Sequence, residues 1–388
     1  MTVFLVIIVL ALLALTGWQM SKIFQLSKGP DVESSQVATD KDNSTQGLNL
    51  LIFVILFFIL MIYCFWYYGN FYLPAAASEH GSQYDNLMFI SIAVIMTVQV
   101  ITQALLFYFG YKYRGNKTKK ALFYADNDRL EFIWTIIPVV VLAGLILYGL
   151  FTWSNIMNVN EDDDPLVVEL YAKQFSWTAR YSGDDNTLGK ANVRFIEGVN
   201  QLGVDENDSY AEDDIVATEL HLPVGRPVLF KLRSQDVLHS AYFPHFRAQM
   251  NVVPGMITQF GFTPTVTSEE MRSSEYMEEK VRRINEIRRE NSTALVANGE
   301  SPLDSYEFDY YLLCNKICGV AHYNMQMKIV VESPEKYEAW LAEQQTFGET
   351  MAAQDAEENE AQGQQEEPID APAEVLETTE ARNQEEEN

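Results

Sequence analysis

The sequence predicts a transmembrane α-helical anchor of about four helices joined to an all-β extracytoplasmic sandwich with a helical insertion. Three observations carry that prediction. Four long apolar runs lie before residue 154, short β-branched and aromatic runs recur in the polar sequence after it, and the loop Cys314–Met325 gathers soft metal donors. The chain has 388 residues, 48% of them hydrophobic, and a formal charge of -27, averages that conceal two unlike halves.

The apolar runs cover Thr2–Trp18, Leu48–Tyr68, Leu87–Tyr111 and Glu131–Trp153. Each approaches or exceeds the roughly 20 helical residues that cross a bilayer. The first could instead be a secretory signal. It has no basic leader and no convincing small-residue cleavage site, so a retained helix is expected. Lys112, Arg114, Lys117, Lys119 and Lys120 follow the third run and mark that loop as cytoplasmic. The sequence after Trp153 then lies on the opposite side, together with the N-terminus. Trp66, Tyr67, Tyr68, Phe71 and Tyr72 read as an interfacial aromatic belt, and Cys64 as a buried structural thiol.

The expected division is 1–47 for the first helix and its loop, 48–86 for the second helix and its outer loop, and 87–155 for a helical hairpin. A β domain follows over 156–345, and an acidic tail over 346–388. Within the β domain, Val167–Tyr171, Ile215–Leu220, Val228–Leu232 and Lys328–Val331 have strand composition and are separated by Gly, Pro, Asn and Asp. The segment at about 268–293 differs. It is charged and rich in helix formers, with Met271, Met277, Val281, Ile284 and Ile287 as an imperfect apolar stripe. It reads as a helix solvated on its own domain or as a docking surface. Residues 351–388 are Glu-, Gln- and Ala-rich with about a dozen net negative charges, so disorder is expected there. Such a tail solubilises or steers a basic partner. No nucleic-acid partner is expected.

The loop reads Cys314-Asn-Lys-Ile-Cys318-Gly-Val-Ala-His322-Tyr-Asn-Met325. Two thiolates, an imidazole and a thioether suit copper better than magnesium or calcium. A structural zinc site would more often show C-x2-C pairs, and none is present. The three-residue gap lets both sulfurs turn inward, with the carbonyl of Lys316 between them. Two coppers would need a second imidazole. Among the remaining histidines, His80 and His221 read as surface or hydrogen-bonded residues, leaving His239 favoured over His245.

Three blocks in order, Glu131-Phe-Ile-Trp134-Thr-Ile-Ile-Pro138, Gln235-Asp-Val-Leu-His239 with Val253-Pro-Gly255, and Cys314–Met325, resemble subunit II of the cytochrome c oxidases of the haem–copper superfamily. The resemblance spans about Leu87 to Val331. It implies a cupredoxin-like sandwich holding the binuclear copper centre CuA. Cys314 and Cys318 would be bridging thiolates, and His239 and His322 would each bind one copper. Met325 and the carbonyl of Lys316 would be the remaining ligands. It further implies electron entry from cytochrome c, delivery to the haem of subunit I, association with other oxidase subunits, and proton translocation. The architecture fits a bacterial inner membrane better than a mitochondrion, with the copper domain and N-terminus on the periplasmic side. The haems belong to the partner subunit.

Some positions depart from the family. Lys316 stands where many members carry the Glu that helps bind magnesium, and Asn251 where Asp is frequent, so magnesium is doubtful. Phe175 stands where a Trp often serves electron entry, leaving Phe175 or Trp177 for that role. Glu131 resembles an acid near the mouth of a proton-uptake path; simple interfacial solvation is the alternative. Quinol oxidase subunits have usually lost the copper ligands, nitrous oxide reductase needs a large propeller, and a copper-delivery cupredoxin would bind one copper reversibly.

Overall fold

The computed structural model describes residues 2–27, 39–69, 73–159 and 163–363. Two units divide the chain. Residues 1–76 with 81–155 form one, and Ala77–His80 with residues 156–388 form the other.

The first unit is helical: α1 Thr2–Ser27, α2 Asp40–Tyr68, α3 Gly81–Lys112 and α4 Asp128–Met157. α2 starts at a reciprocal cap, in which Asp42 N donates to Thr39 Oγ1 and Thr39 N to the Asp42 carboxylate, each at 3.2 Å. α2 and α3 meet where Arg114 Nε donates to Ser44 Oγ at 3.1 Å and the Phe53 and Phe107 rings lie 5.9 Å apart. Among the described residues, α2, α3 and α4 are long and apolar enough to cross a membrane, whereas α1 contributes a shorter stretch, Val9–Ser21. Cys64 is exposed on α2 rather than buried in protein, because its side chain lies on the outward apolar surface of that helix.

The second unit is a sandwich of two five-stranded sheets. One has the order β3-β2-β1-β5-β8 and the other β4-β10-β9-β6-β7. The strands are β1 Leu166–Lys173, β2 Ser176–Tyr181, β3 Ile215–Ala217, β4 Leu220–Pro223, β5 Val228–Ser234, β6 His239–Phe243, β7 Ala248–Val252, β8 Thr258–Phe262, β9 Tyr310–Cys314 and β10 Gln326–Glu332. Alternation decides which faces turn inward. Val228, Phe230, Leu232 and Ser234 of β5 are buried, while the residues between them are partly exposed. Phe230, Phe243, Phe246, Phe260 and Phe262 fill the space between the sheets, with neighbouring rings 4.7–6.4 Å apart.

Several expectations change in detail. The run Ile215–Leu220 is not one strand: it breaks after Ala217, and β3 and β4 enter different sheets. Composition cannot register that switch. The insertion forms two helices, α5 Ser268–Arg272 and α6 Glu275–Ala297. Met271 and Met277 are buried as the stripe predicts, but Ile287 is 58% exposed because the helix has drifted off its support by that turn. After α7 (Pro334–Ala342), the acidic segment is helical over Phe347–Gly363 (α8) rather than disordered from residue 346. Phe347 and Met351 supply the reason: they pack against Tyr171, Leu202, Val204 and Ala211. Residues 364–388, also expected to be disordered, lie outside the described residues.

Part of the outer loop assigned to 48–86 is built into the sandwich. Ala77 N donates to the His245 carbonyl at 2.7 Å, Ser78 Oγ to the Phe246 carbonyl at 2.7 Å, and Thr265 N to the Ala77 carbonyl at 2.9 Å.

Candidate metal centre

Two strands and one loop deliver the donors. β5 leaves one sheet at Ser234 and β6 enters the other at His239, so the crossover Gln235–Leu238 sets where that imidazole stands. β9 runs antiparallel to β6 with Ala241 opposite Cys314, and Asn315 N donates to the Ser240 carbonyl at 3.0 Å. β10 begins just after Met325. Cys314 N donates to the Met325 carbonyl at 3.0 Å, which closes the loop between them into a pinched ring. The first and last donors of the motif are thus hydrogen-bonded neighbours, although they lie eleven positions apart.

The side chains converge as a chain of close approaches. Cys314 Sγ lies 3.8 Å from His239 Nδ1, 3.8 Å from Cys318 Sγ and 3.2 Å from the Lys316 carbonyl oxygen. Cys318 Sγ lies 3.6 Å from His322 Nδ1 and 3.7 Å from Met325 Sδ. Among the described residues, His239, Cys314 and Cys318 form a group compact enough to hold a metal ion. All three are buried, as is Met325. Burial and the adjoining Cys314 thiol push the Cys318 thiol up to about 11. Without a cation, then, the site favours protonated sulfur, and metal binding would release protons.

His245, the rival to His239, sits elsewhere, packed edge-on against Phe308 and Tyr310. His80 Nε2 approaches the Arg247 carbonyl at 3.4 Å. His221 stacks on Trp340 with ring centroids 4.0 Å apart, and its Nδ1 contacts the Glu332 carboxylate at 3.0 Å. Trp177 is buried with its ring 6.2 Å from that of His239. Phe175 reaches the loop directly. Gly319 has φ +145, and a Cβ there would come within 2.8 Å of the Phe175 ring. Only glycine meets both demands. Glu131 occupies the first turn of α4 and is exposed.

Two residues that sequence reasoning passed over hold the frame. His239 Nε2 donates to Asp236 Oδ1 at 2.8 Å, which turns Nδ1 toward the thiols. The same carboxylate accepts from Val237 N at 2.6 Å and from Gln174 N at 2.7 Å. Burial opposes charge on Asp236, yet the His239, Gln174 and Val237 hydrogen bonds hold its carboxyl below the ordinary aspartate value. The signal was in plain view, three residues before His239. Gln174 gave none.

Residues 67–151 match the family model described as the transmembrane domain of cytochrome c oxidase subunit II. The alternative cytochrome c oxidase subunit 2 of Bradyrhizobium diazoefficiens is 32% identical over 262 residues, covering 66% of this chain and 79% of the relative. The chain belongs to the cytochrome c oxidase subunit II family. The subunit 2 of Synechocystis sp. is 24% identical over 307 residues, 73% of this chain and 79% of the relative. The solved periplasmic domain of subunit II (CoxB) of Bradyrhizobium japonicum matches with a TM-score of 0.26 at 17% identity, over 46% of this chain and 91% of that one. As a subunit II, this chain is a component of a cytochrome c oxidase complex, a membrane protein with helical spans and a β-sandwich domain. Its donor set of buried sulfur and imidazole is of the copper type.

Proposed function

We propose that this chain is the electron-entry subunit of a proton-pumping cytochrome c oxidase in a bacterial inner membrane. It would receive electrons from cytochrome c, or from a cytochrome c domain, on the periplasmic side and deliver them to the haem of subunit I, where oxygen is reduced to water. The observation that carries this reading is the pairing of donors: each cysteine sulfur has its own imidazole nitrogen, at 3.8 Å for Cys314 and 3.6 Å for Cys318. A single-metal cupredoxin would not require that duplication.

In this reading Cys314, Cys318, His239 and His322, with Met325 and the Lys316 carbonyl, would hold two coppers, the histidines offering Nδ1. When bound, the pair of coppers would supply a one-electron relay whose charge is shared between two metals. The chain's own residues do the rest. The sandwich excludes water from the thiolates, and Asp236 holds His239 in one tautomer. Phe175, against Gly319, is the better placed entry residue, while Trp177 packs behind His239. Glu131, exposed at the start of α4, would stand at the entrance of a proton path into subunit I. Lys316 and Asn251 supply no carboxylate, so magnesium is not expected in the family's usual place.

Electron paramagnetic resonance of the full-length chain reconstituted with copper tests the reading. A mixed-valence signal delocalised over two coppers is expected. A single-copper spectrum with ordinary hyperfine splitting would overturn it.

A further inference from the structure

The turn between β1 and β2 is two residues long, Gln174 and Phe175, with Lys173 paired to Ser176 on either side. A turn this short needs no outside support, yet Gln174 is tied down twice. Its backbone N–H donates to Asp236 Oδ2 at 2.7 Å, and its side-chain Nε2 donates to the Cys318 carbonyl. The first bond leads to the His239 half of the donor set, because the other oxygen of Asp236 holds His239 Nε2. The second leads to the Cys318 half. Gln174 is exposed at the surface, so burial does not explain why its amide is committed to the loop. The consequence is local: the Phe175 ring lies over Gly319, next to Cys318.

We propose that Gln174, together with Asp236, is a positioning residue: a latch that ties the β1–β2 turn to both halves of the donor set and keeps Phe175 over the Cys318 end. The latch acts through the Cys318 backbone and through His239; Gln174 supplies no ligand. Losing the side-chain donor frees the turn, lifts Phe175 and admits water to the Cys318 sulfur. The inference rests on the copper reading only for its second test, since the first needs no metal.

Gln174→Glu and Gln174→Leu both remove the donor, the first with little change in shape. In the reduced, copper-free full-length chain, alkylation of Cys318, read site by site by mass spectrometry, is expected to quicken about fivefold, the factor that one lost hydrogen bond gives. In the copper-loaded chain the same variants should lower the reduction potential, because admitted water favours the more highly charged oxidised form. Phe175→Leu, with the latch intact, should leave the His322 amide, which donates to the Gly319 carbonyl at 3.2 Å, as protected from hydrogen exchange as in the parent chain, whereas the Gln174 variants expose it. Unchanged Cys318 reactivity in both Gln174 variants overturns the proposal, as does a lowered melting temperature with unaltered thiol reactivity, which would make Gln174 a stabilising residue only. A single-copper spectrum in the parent chain would defeat the functional reading while leaving the thiol result to stand.

Discussion

The two imidazoles of the proposed centre are held in different ways. His239 is fully buried at the start of β6, paired in register with Val252 and bonded to Asp236. His322 is half-buried and opens the single turn His322–Asn324, whose hydrogen bonds are all local: His322 N to Gly319 O, Asn324 N to Ala321 O, and Met325 N to His322 O. Around it Ile317, Val320 and Tyr323 are 86%, 93% and 87% exposed. One side of the donor set is therefore fixed by the sandwich, and the other by a loop that can adjust. A loop with few buried contacts opens at lower cost than a strand, so the strand side is the rigid half and the loop side the adaptable one.

Histidine substitutions should reveal this asymmetry with the largest effect. In the copper-free chain, His239→Ala empties a buried site beside Trp177 and strips Asp236 of a donor. It should destabilise the β domain by about 3 kcal/mol. His322→Ala should cost under about 1 kcal/mol, as for a partly exposed loop residue. Denaturation followed by tryptophan fluorescence measures both, and Trp177 lies close enough to His239 to report it. Equal losses would break the comparison. Both variants should still fail to form the dinuclear spectrum.

A smaller effect should come from the charges beneath the rigid side. Glu169 on β1 accepts from Arg180 Nε at 2.8 Å and from Arg233 Nε at 2.8 Å, and Arg180 also pairs with Asp214 at 2.7 Å. Burial opposes ionisation of Glu169, but Arg180 and Arg233 outweigh it and hold the carboxyl below its ordinary value. Asp214 shares Arg180 and accepts from Gly189 N at 3.1 Å, but burial outweighs both and pushes it up to about 7. The two acids therefore pull stability in opposite directions. Glu169 contributes above its ordinary pKa, and that contribution is lost as pH falls through its lower folded value. Asp214 keeps a proton on folding that the unfolded chain releases, so stability falls as pH rises from about 4 to about 7. Asp214→Asn should flatten the second slope and leave the acid limb in place. Denaturation midpoints of the copper-free chain against pH measure both limbs, and a slope unaltered in the variant would show that Asp214 does not hold the proton.

How much of this was readable beforehand follows the same division. The adaptable loop is contiguous, so its donors and their spacing stand together in the sequence from Cys314 to Met325. The β character of β1, β5 and β10 was also plain, since local alternation encodes it. The rigid side is assembled from distant segments. His239 could be chosen among five histidines only by context and family likeness. Gln174 was invisible, because its role depends on a turn and a loop 144 positions apart meeting in space. The break of Ile215–Leu220 into strands of two sheets was hidden for the same reason. Helix α8 failed as a prediction differently: acidic composition dominated the reading, and two apolar residues, Phe347 and Met351, were enough to anchor its start.

The smallest expected effect concerns Met325, which belongs to both sides. Its backbone closes the loop against Cys314, while its sulfur lies 3.7 Å from Cys318 Sγ. Met325 is 1% exposed, so its volume matters as much as its sulfur. Met325→Leu nearly conserves that volume and leaves the backbone bond untouched, so the stability cost should stay under about 1.5 kcal/mol. What the substitution removes is a weak soft donor. Copper content should persist, since both thiolates and both imidazoles remain, and the change should appear as a shifted reduction potential and altered hyperfine coupling. Loss of copper from this variant would mean that the loop side depends on the thioether to close, and the adaptable half would then be weaker than its two cysteines suggest.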